Sequence, residues 1–97
     1  MVRYLKDDNF EENVKEGLVL VDFYADWCGP CKMMGEILET IDVDVLKVNT
    51  DDYSELAMKF GVMSIPTLIL FKDGVEVKKM IGLQSKNDIL SFIEENK

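Results

Sequence analysis

The chain has 97 residues, 47% of them hydrophobic, which suits one domain with one packed core and leaves no room for two. Its formal net charge is −8, and it shows no basic stripe. Nucleic acid is therefore disfavoured as a partner, and so are anionic membrane surfaces.

The elements follow one another closely, without repeats, linkers or low-complexity segments. The opening "MVRYLKDDNF" lacks the apolar run of a secretory signal, and no segment has the apolar length a membrane helix needs. A cytoplasmic setting, with an unprocessed Met1, is the expectation. Val2 to Leu5 reads as a short strand. Asp7 or Asp8 is placed to cap a short helix holding Phe10 and Val14, with Gly17 ending it. Leu18 to Tyr24 is apolar on both faces, the pattern of a central strand covered on both sides. Met34, Ile37, Leu38 and Ile41 then recur at helical spacing, and Pro30 fits the first turn of that helix.

Val43 to Val48 reads as the next strand. Tyr53, Leu56, Ala57 and Phe60 mark a third helix, with Asp51 and Asp52 placed to cap it and Gly61 to stop it. Thr67 to Phe71 is a strongly apolar strand. "KDGV", residues 72 to 75, is a tight turn, and Val75 to Ile81 returns as a hairpin at the sheet edge. Ser85 and Asp88 resemble a capping box at the start of a last helix that buries Ile89, Leu90 and Ile93. Alternating strands and helices imply parallel pairing with right-handed crossovers, and the hairpin adds antiparallel pairing. The expected fold class is α/β: one domain over residues 1–97, a mixed sheet between two layers of helices.

Cys28 and Cys31 are the only cysteines, spaced C-x-x-C at a strand-to-helix junction. Free amides at a helix start favour negative charge, so a thiol there ionises readily, and the thiolate is the nucleophile. Cys28, at the exposed start of the helix, is expected to attack a substrate disulfide. Cys31, buried in the first turn, is expected to resolve the mixed disulfide. Gly29 and Pro30 bring no charge between them, so nothing strongly favours the thiolate and the pair is expected to be a reductant. A structural staple is a weak alternative, since so short a loop constrains the unfolded chain by only about 2 kcal/mol. Zinc would need about four ligands, and the chain has two cysteines and no histidine. No metal is therefore expected.

"WCGPCK", residues 27 to 32, resembles the active-site motif of the thioredoxin family. The resemblance continues through "VDFYADWCGPCK", "KVNTDD", "GVMSIPTLILFKDG" and "GLQSK", nearly the whole chain. It implies the thioredoxin fold, a central mixed five-stranded β-sheet flanked by four α-helices. It implies a protein-disulfide reductase that contributes to cell redox homeostasis as an electron carrier, with no tightly bound cofactor. Implied partners are protein disulfides and a thioredoxin reductase, flavin- or ferredoxin-dependent, with the protein itself a monomer. Pro66 is similar to the family's cis-proline. Trp27, Gly29, Pro30, Ile65 and Gly82 match positions of the substrate groove, where the Ile65 backbone would meet an extended peptide by strand addition. Three departures stand out: Tyr24 where tryptophan is common, Glu36 where many members have a helix-kinking proline, and a shorter link after the active-site helix.

Asp22 lies in the middle of the apolar strand, on the face of Leu20 and Tyr24. From the pattern alone, a satisfied buried polar group and a functional carboxylate stand about even. The family places an acid and a lysine at the positions of Asp22 and Lys47, behind the buried cysteine. The resemblance thus implies that Asp22 is the base that deprotonates Cys31 and that Lys47 tunes it. Met33 and Met34 read as core filler and a groove-edge residue rather than as metal ligands. Trp27, the only tryptophan, reads as part of a contact surface beside Cys28.

Overall fold

The structure, a computed structural model, describes residues 1–97. The stretch from Leu18 to Tyr24 forms a strand, β2, whose side chains are buried on both faces as its composition requires. Its neighbours in the sheet are β3 (Asp44–Asn49), parallel, and β4 (Thr67–Lys72), antiparallel. Outside these lie β1 (Val2–Tyr4), parallel to β3, and β5 (Val75–Ile81), antiparallel to β4. The order across the mixed sheet is β1-β3-β2-β4-β5.

Alternation along β2 divides the core between two helix layers. Val19, Val21 and Phe23 face one side, with Phe10 and Val14 of α1 (Phe10–Val14) and Ala57 of α3 (Ser54–Lys59). Leu20 faces the other, with Met34 and Leu38 of α2 (Gly29–Leu38) and Ile89 and Ile93 of α4 (Lys86–Glu95). Phe10, Phe60 and Phe71 pack as an aromatic cluster, with Phe10 centred 5.3 Å from Phe60 and 5.4 Å from Phe71. No helix is long and apolar enough to cross a membrane.

The β4–β5 turn behaves as its sequence demands. Asp73 and Gly74 both have positive φ, 50° and 86°, the backbone of the tight hairpin turn that Asp-Gly favours. The Asp73 carboxylate also accepts from the Gly17 amide at 2.8 Å, which ties the hairpin to the loop before β2. The Ser85 hydroxyl accepts from the Asp88 amide at 3.1 Å and caps α4.

Several local expectations are corrected. Asn9, not Asp7 or Asp8, occupies the N-cap of α1, and it makes no side-chain cap bond. Tyr53 occupies the N-cap of α3, so Asp51 and Asp52 do not cap it. Ile41 is buried, but it lies beyond the end of α2 in the turn leading to β3. Leu90 is 41% exposed, whereas Phe92 turns inward with Ile89 and Ile93. Residues 89, 92 and 93 share a helical face, and residue 90 lies about 100° around from 89. α2 runs unbroken from Gly29 to Leu38 with Glu36 in its interior.

These burial differences predict a contrast in stability. Phe10→Ala should cost about 3–5 kcal/mol in urea unfolding, because it opens a cavity under Phe60 and Phe71. Leu90→Ala should cost less than about 1 kcal/mol, because its side chain is half in water already.

Candidate functional site

The site is built where β2 runs out. Ala25 to Trp27 lead from the strand into α2, and Cys28 is the N-cap of that helix with an extended backbone. The Cys28 sulfur accepts from the Cys31 amide at 3.2 Å. This is the placement that favours a thiolate: the negative charge faces an amide with no partner inside the helix. Pro30 falls in the first turn, where its missing N–H disturbs nothing. Cys28 and Cys31 are joined as a disulfide, with their Cα atoms 5.2 Å apart.

Cys28 is more covered than its position at the helix start suggests. It is only 5% exposed, and Cys31 only 1%, with Ala25, Tyr24 and Ile65 packed around them. Cys28 nonetheless opens into a groove of about 600 Å³. Trp27, Gly29, Pro30 and Ile65 line it. Thr50, Val62, Met63 and Ser64 line it too. These were missed because they belong to loops whose course no periodicity reveals. Met63 is 95% exposed at the rim, whereas Met33 is exposed on α2 away from the groove and Met34 is buried in the core. The groove-edge methionine is therefore Met63.

The Ile65–Pro66 peptide bond is cis, and Pro66 is buried next to Ile65 in the chain. The Ile65 amide and carbonyl make no hydrogen bond within the chain. Gly82 does not line the groove. Its amide donates to the Pro66 carbonyl at 2.9 Å, and its φ of 88° is a conformation that glycine adopts readily. Trp27 is 72% exposed, and its indole N–H donates to the Asp51 carboxylate at 3.0 Å. Asp51 thus orients the tryptophan from the loop after β3.

Asp22 is fully buried in the middle of β2. The parallel register pairs it directly with Lys47, and the ammonium stands 3.6 Å from its carboxylate. That is an ion pair but too long for a hydrogen bond, and neither carboxylate oxygen has a hydrogen-bond partner. Burial raises the Asp22 carboxyl from an ordinary value of 3.8 to about 6, and the Lys47 charge holds back part of that rise. Asp22 is thus held by the charge of Lys47 and by no hydrogen bond within the chain. Behind the disulfide a second cavity of about 340 Å³ is lined by Tyr4, Tyr24, Asp26, Cys31 and Lys47. Cys31 and the cation beside Asp22 face the same space.

Comparison with known proteins agrees with this geometry. A family model described as Thioredoxin matches residues 1–95. A thioredoxin of Chlamydia caviae is 46% identical over 101 residues, covering 99% of each chain. One of Staphylococcus saprophyticus subsp. saprophyticus is 47% identical over 96 residues, covering 93% of this chain and 92% of the relative. An asparagine-to-glutamine mutant of thioredoxin from Halobacterium salinarum NRC-1 has a solved structure that superposes with a TM-score of 0.89. It is 36% identical, and the match covers 98% of this chain and 89% of that one. Related in sequence along nearly its whole length and alike in fold, this chain belongs to the thioredoxin family of protein-disulfide oxidoreductases.

Proposed function

We propose that this thioredoxin-like disulfide reductase divides its chemistry among Cys28, Cys31 and Asp22. The reduced Cys28 thiolate attacks one sulfur of a substrate disulfide, forms a mixed disulfide and expels the other substrate sulfur as a thiolate. The Cys31 thiol gives its proton to the Asp22 carboxylate by way of an intervening water. The Cys31 thiolate then attacks Cys28, closes the Cys28–Cys31 disulfide and releases the second substrate thiolate. Two electrons leave the protein, and a reductase partner, flavin- or ferredoxin-dependent, restores the dithiol. The setting is the cytoplasm and the working form a monomer.

The observation that carries this reading is the sulfur of Cys28 at the start of α2, accepting from the Cys31 amide on the floor of an open groove. The groove supports an extended substrate segment lying over Trp27 and Pro30 and adding to the free backbone of Ile65. Lys47 supports the proton step from the other side. Its charge keeps Asp22 within reach of ionisation at neutral pH despite complete burial.

Substitutions at the cysteines separate their roles. Cys28→Ser should abolish disulfide reduction. Cys31→Ser should accumulate a mixed disulfide with substrate, seen by mass spectrometry as a covalent adduct that dithiothreitol releases. A mixed disulfide trapped instead by Cys28→Ser would reverse the assignment.

A redox titration followed by Trp27 fluorescence should give a two-electron midpoint near about −270 mV, where thioredoxins sit. A midpoint near about −120 mV would mean an oxidant, against the uncharged Gly29 and Pro30 between the cysteines.

Asp22 carries a pH signature in stability and another in rate. Its folded carboxyl, near 6, holds a proton that the unfolded chain has already lost at that pH. Stability should therefore fall as pH rises from about 4 to 6, by about 3 kcal/mol on this group's account. Asp22→Asn should be more stable than the native protein at pH 7.5, by an amount of that order, and should lose the advantage by about pH 4. The same variant should resolve mixed disulfides at least roughly tenfold more slowly at neutral pH, as expected when a general base is lost. Unchanged exchange kinetics in Asp22→Asn would remove Asp22 from the mechanism.

A further inference from the structure

Charge attraction alone does not fix the exact place of an ammonium on a four-carbon stem beside a buried carboxylate. Lysine side chains are flexible and strongly hydrated, and they extend toward water where they can. The Lys47 ammonium is 3.6 Å from Asp22, beyond hydrogen-bond range, and it borders a cavity. The ion pair attracts it without the directionality of a hydrogen bond, so the groups packed around the ammonium set its place.

Three surfaces close around it. The ammonium lies over the ring of Tyr24, 4.4 Å from the centroid, within the range of a cation–π contact. The ring of Tyr4 lies 5.7 Å away on a second side. The two rings meet edge to face with centroids 6.2 Å apart, so they brace one another. The third surface is α2. A Cβ on Gly35 would stand 3.0 Å from the ammonium nitrogen, closer than side chains ordinarily approach. Gly35 lies in the helix interior and has no positive φ to require a glycine, while glycine there costs about 1 kcal/mol against alanine. A methyl group at Gly35 would thus press on the tip of Lys47, which would have to give by a few tenths of an ångström.

We propose that Gly35, Tyr24 and Tyr4 are positioning residues that form a socket for the Lys47 ammonium and so fix it beside Asp22. The socket joins β1, β2 and α2 around a side chain from β3. The groups that face or border it are Tyr4 from β1, Asp22 and Tyr24 from β2, Asp26 from the connecting loop, and Cys31 and Lys32 from α2. Leu68, opposite Asp22 on β4, brings no charge. Burial, reinforced by Asp26, pushes the Tyr24 phenol above its ordinary value, so the ring stays neutral under the cation. The free space beside the ammonium is the cavity, and Asp22 is not among the residues lining it. A displaced ammonium therefore moves off the carboxylate. The consequence for turnover rests on Asp22 acting as the base, whereas the position of the cation does not.

The test is the titration of the Asp22 carboxyl by 13C NMR in the oxidised protein, where neither cysteine titrates. The native midpoint is compared with those of Tyr24→Leu, Tyr24→Phe and Gly35→Ala, each made also with Lys47→Met. Tyr24→Leu and Gly35→Ala should raise the midpoint by roughly half a pH unit or more, because the opposing charge is loosened. Tyr24→Phe keeps the aromatic face and should leave the midpoint near native. With Lys47→Met neither Tyr24→Leu nor Gly35→Ala should move it further, since no cation remains to be placed. Native midpoints in both Tyr24→Leu and Gly35→Ala would overturn the socket, as would shifts of equal size without Lys47. A rate defect missing from Asp22→Asn would instead count against the base and leave the socket standing.

Discussion

The strand β2 is paired on both sides, parallel to β3 and antiparallel to β4, and is buried on both faces. That double constraint leaves its residues almost no freedom to slide, because a one-residue slip would turn Val19, Val21 and Phe23 into the wrong helix layer. The same register sets Asp22 against Lys47 and delivers the chain to Cys28 at the start of α2. The core and the chemistry are thus two faces of one alignment.

The polar elements of the site form an exception inside that core. Asp22 is buried with no hydrogen-bond partner and opposes folding whenever it is ionised. The hydrophobic layers above and below β2 tolerate the carboxylate because so much apolar surface is secured around it. On the outer side of the disulfide the arrangement is different. Trp27 is held by Asp51, the Pro66 carbonyl accepts from the Gly82 amide, and the groove lined by Trp27 and Ile65 is open. One side of the cysteine pair carries charge, and the other is largely apolar.

The sheet order and the helix layers were legible because period and punctuation agree in this sequence. β2 is a continuous apolar run, α2 and α4 carry helical spacing, and Asp73-Gly74 marks the hairpin. The cysteine pair was legible for the same local reason, since its spacing and flanking strand can be read in one line. Caps were read less well. Asp7, Asp8, Asp51 and Asp52 are all capable of capping, but one residue of loop conformation decides which position starts the helix. The partnership of Asp51 with Trp27 spans 24 residues and leaves no local trace. Leu90 was misplaced because hydrophobicity was read where angular position decides. The lining of the groove by Thr50, Val62 and Met63 depends on how two loops meet, and nothing local in the sequence sets Gly35 opposite the Lys47 ammonium.

The two outer strands of the sheet are poor templates for other chains. β1 has only three residues, and the β4–β5 register is interrupted by an irregularity between Leu70 and Phe71. Lys78 and Lys79 follow on β5, and charged residues and bulges both discourage edge-to-edge association. A protein whose proposed task is to hold extended segments of other chains would otherwise risk aggregating with its own clients. With its edges blunted, the sheet leaves the short free backbone at Ile65, next to the sulfurs, as the place for the proposed docking, and a segment held there would be let go once its disulfide is gone.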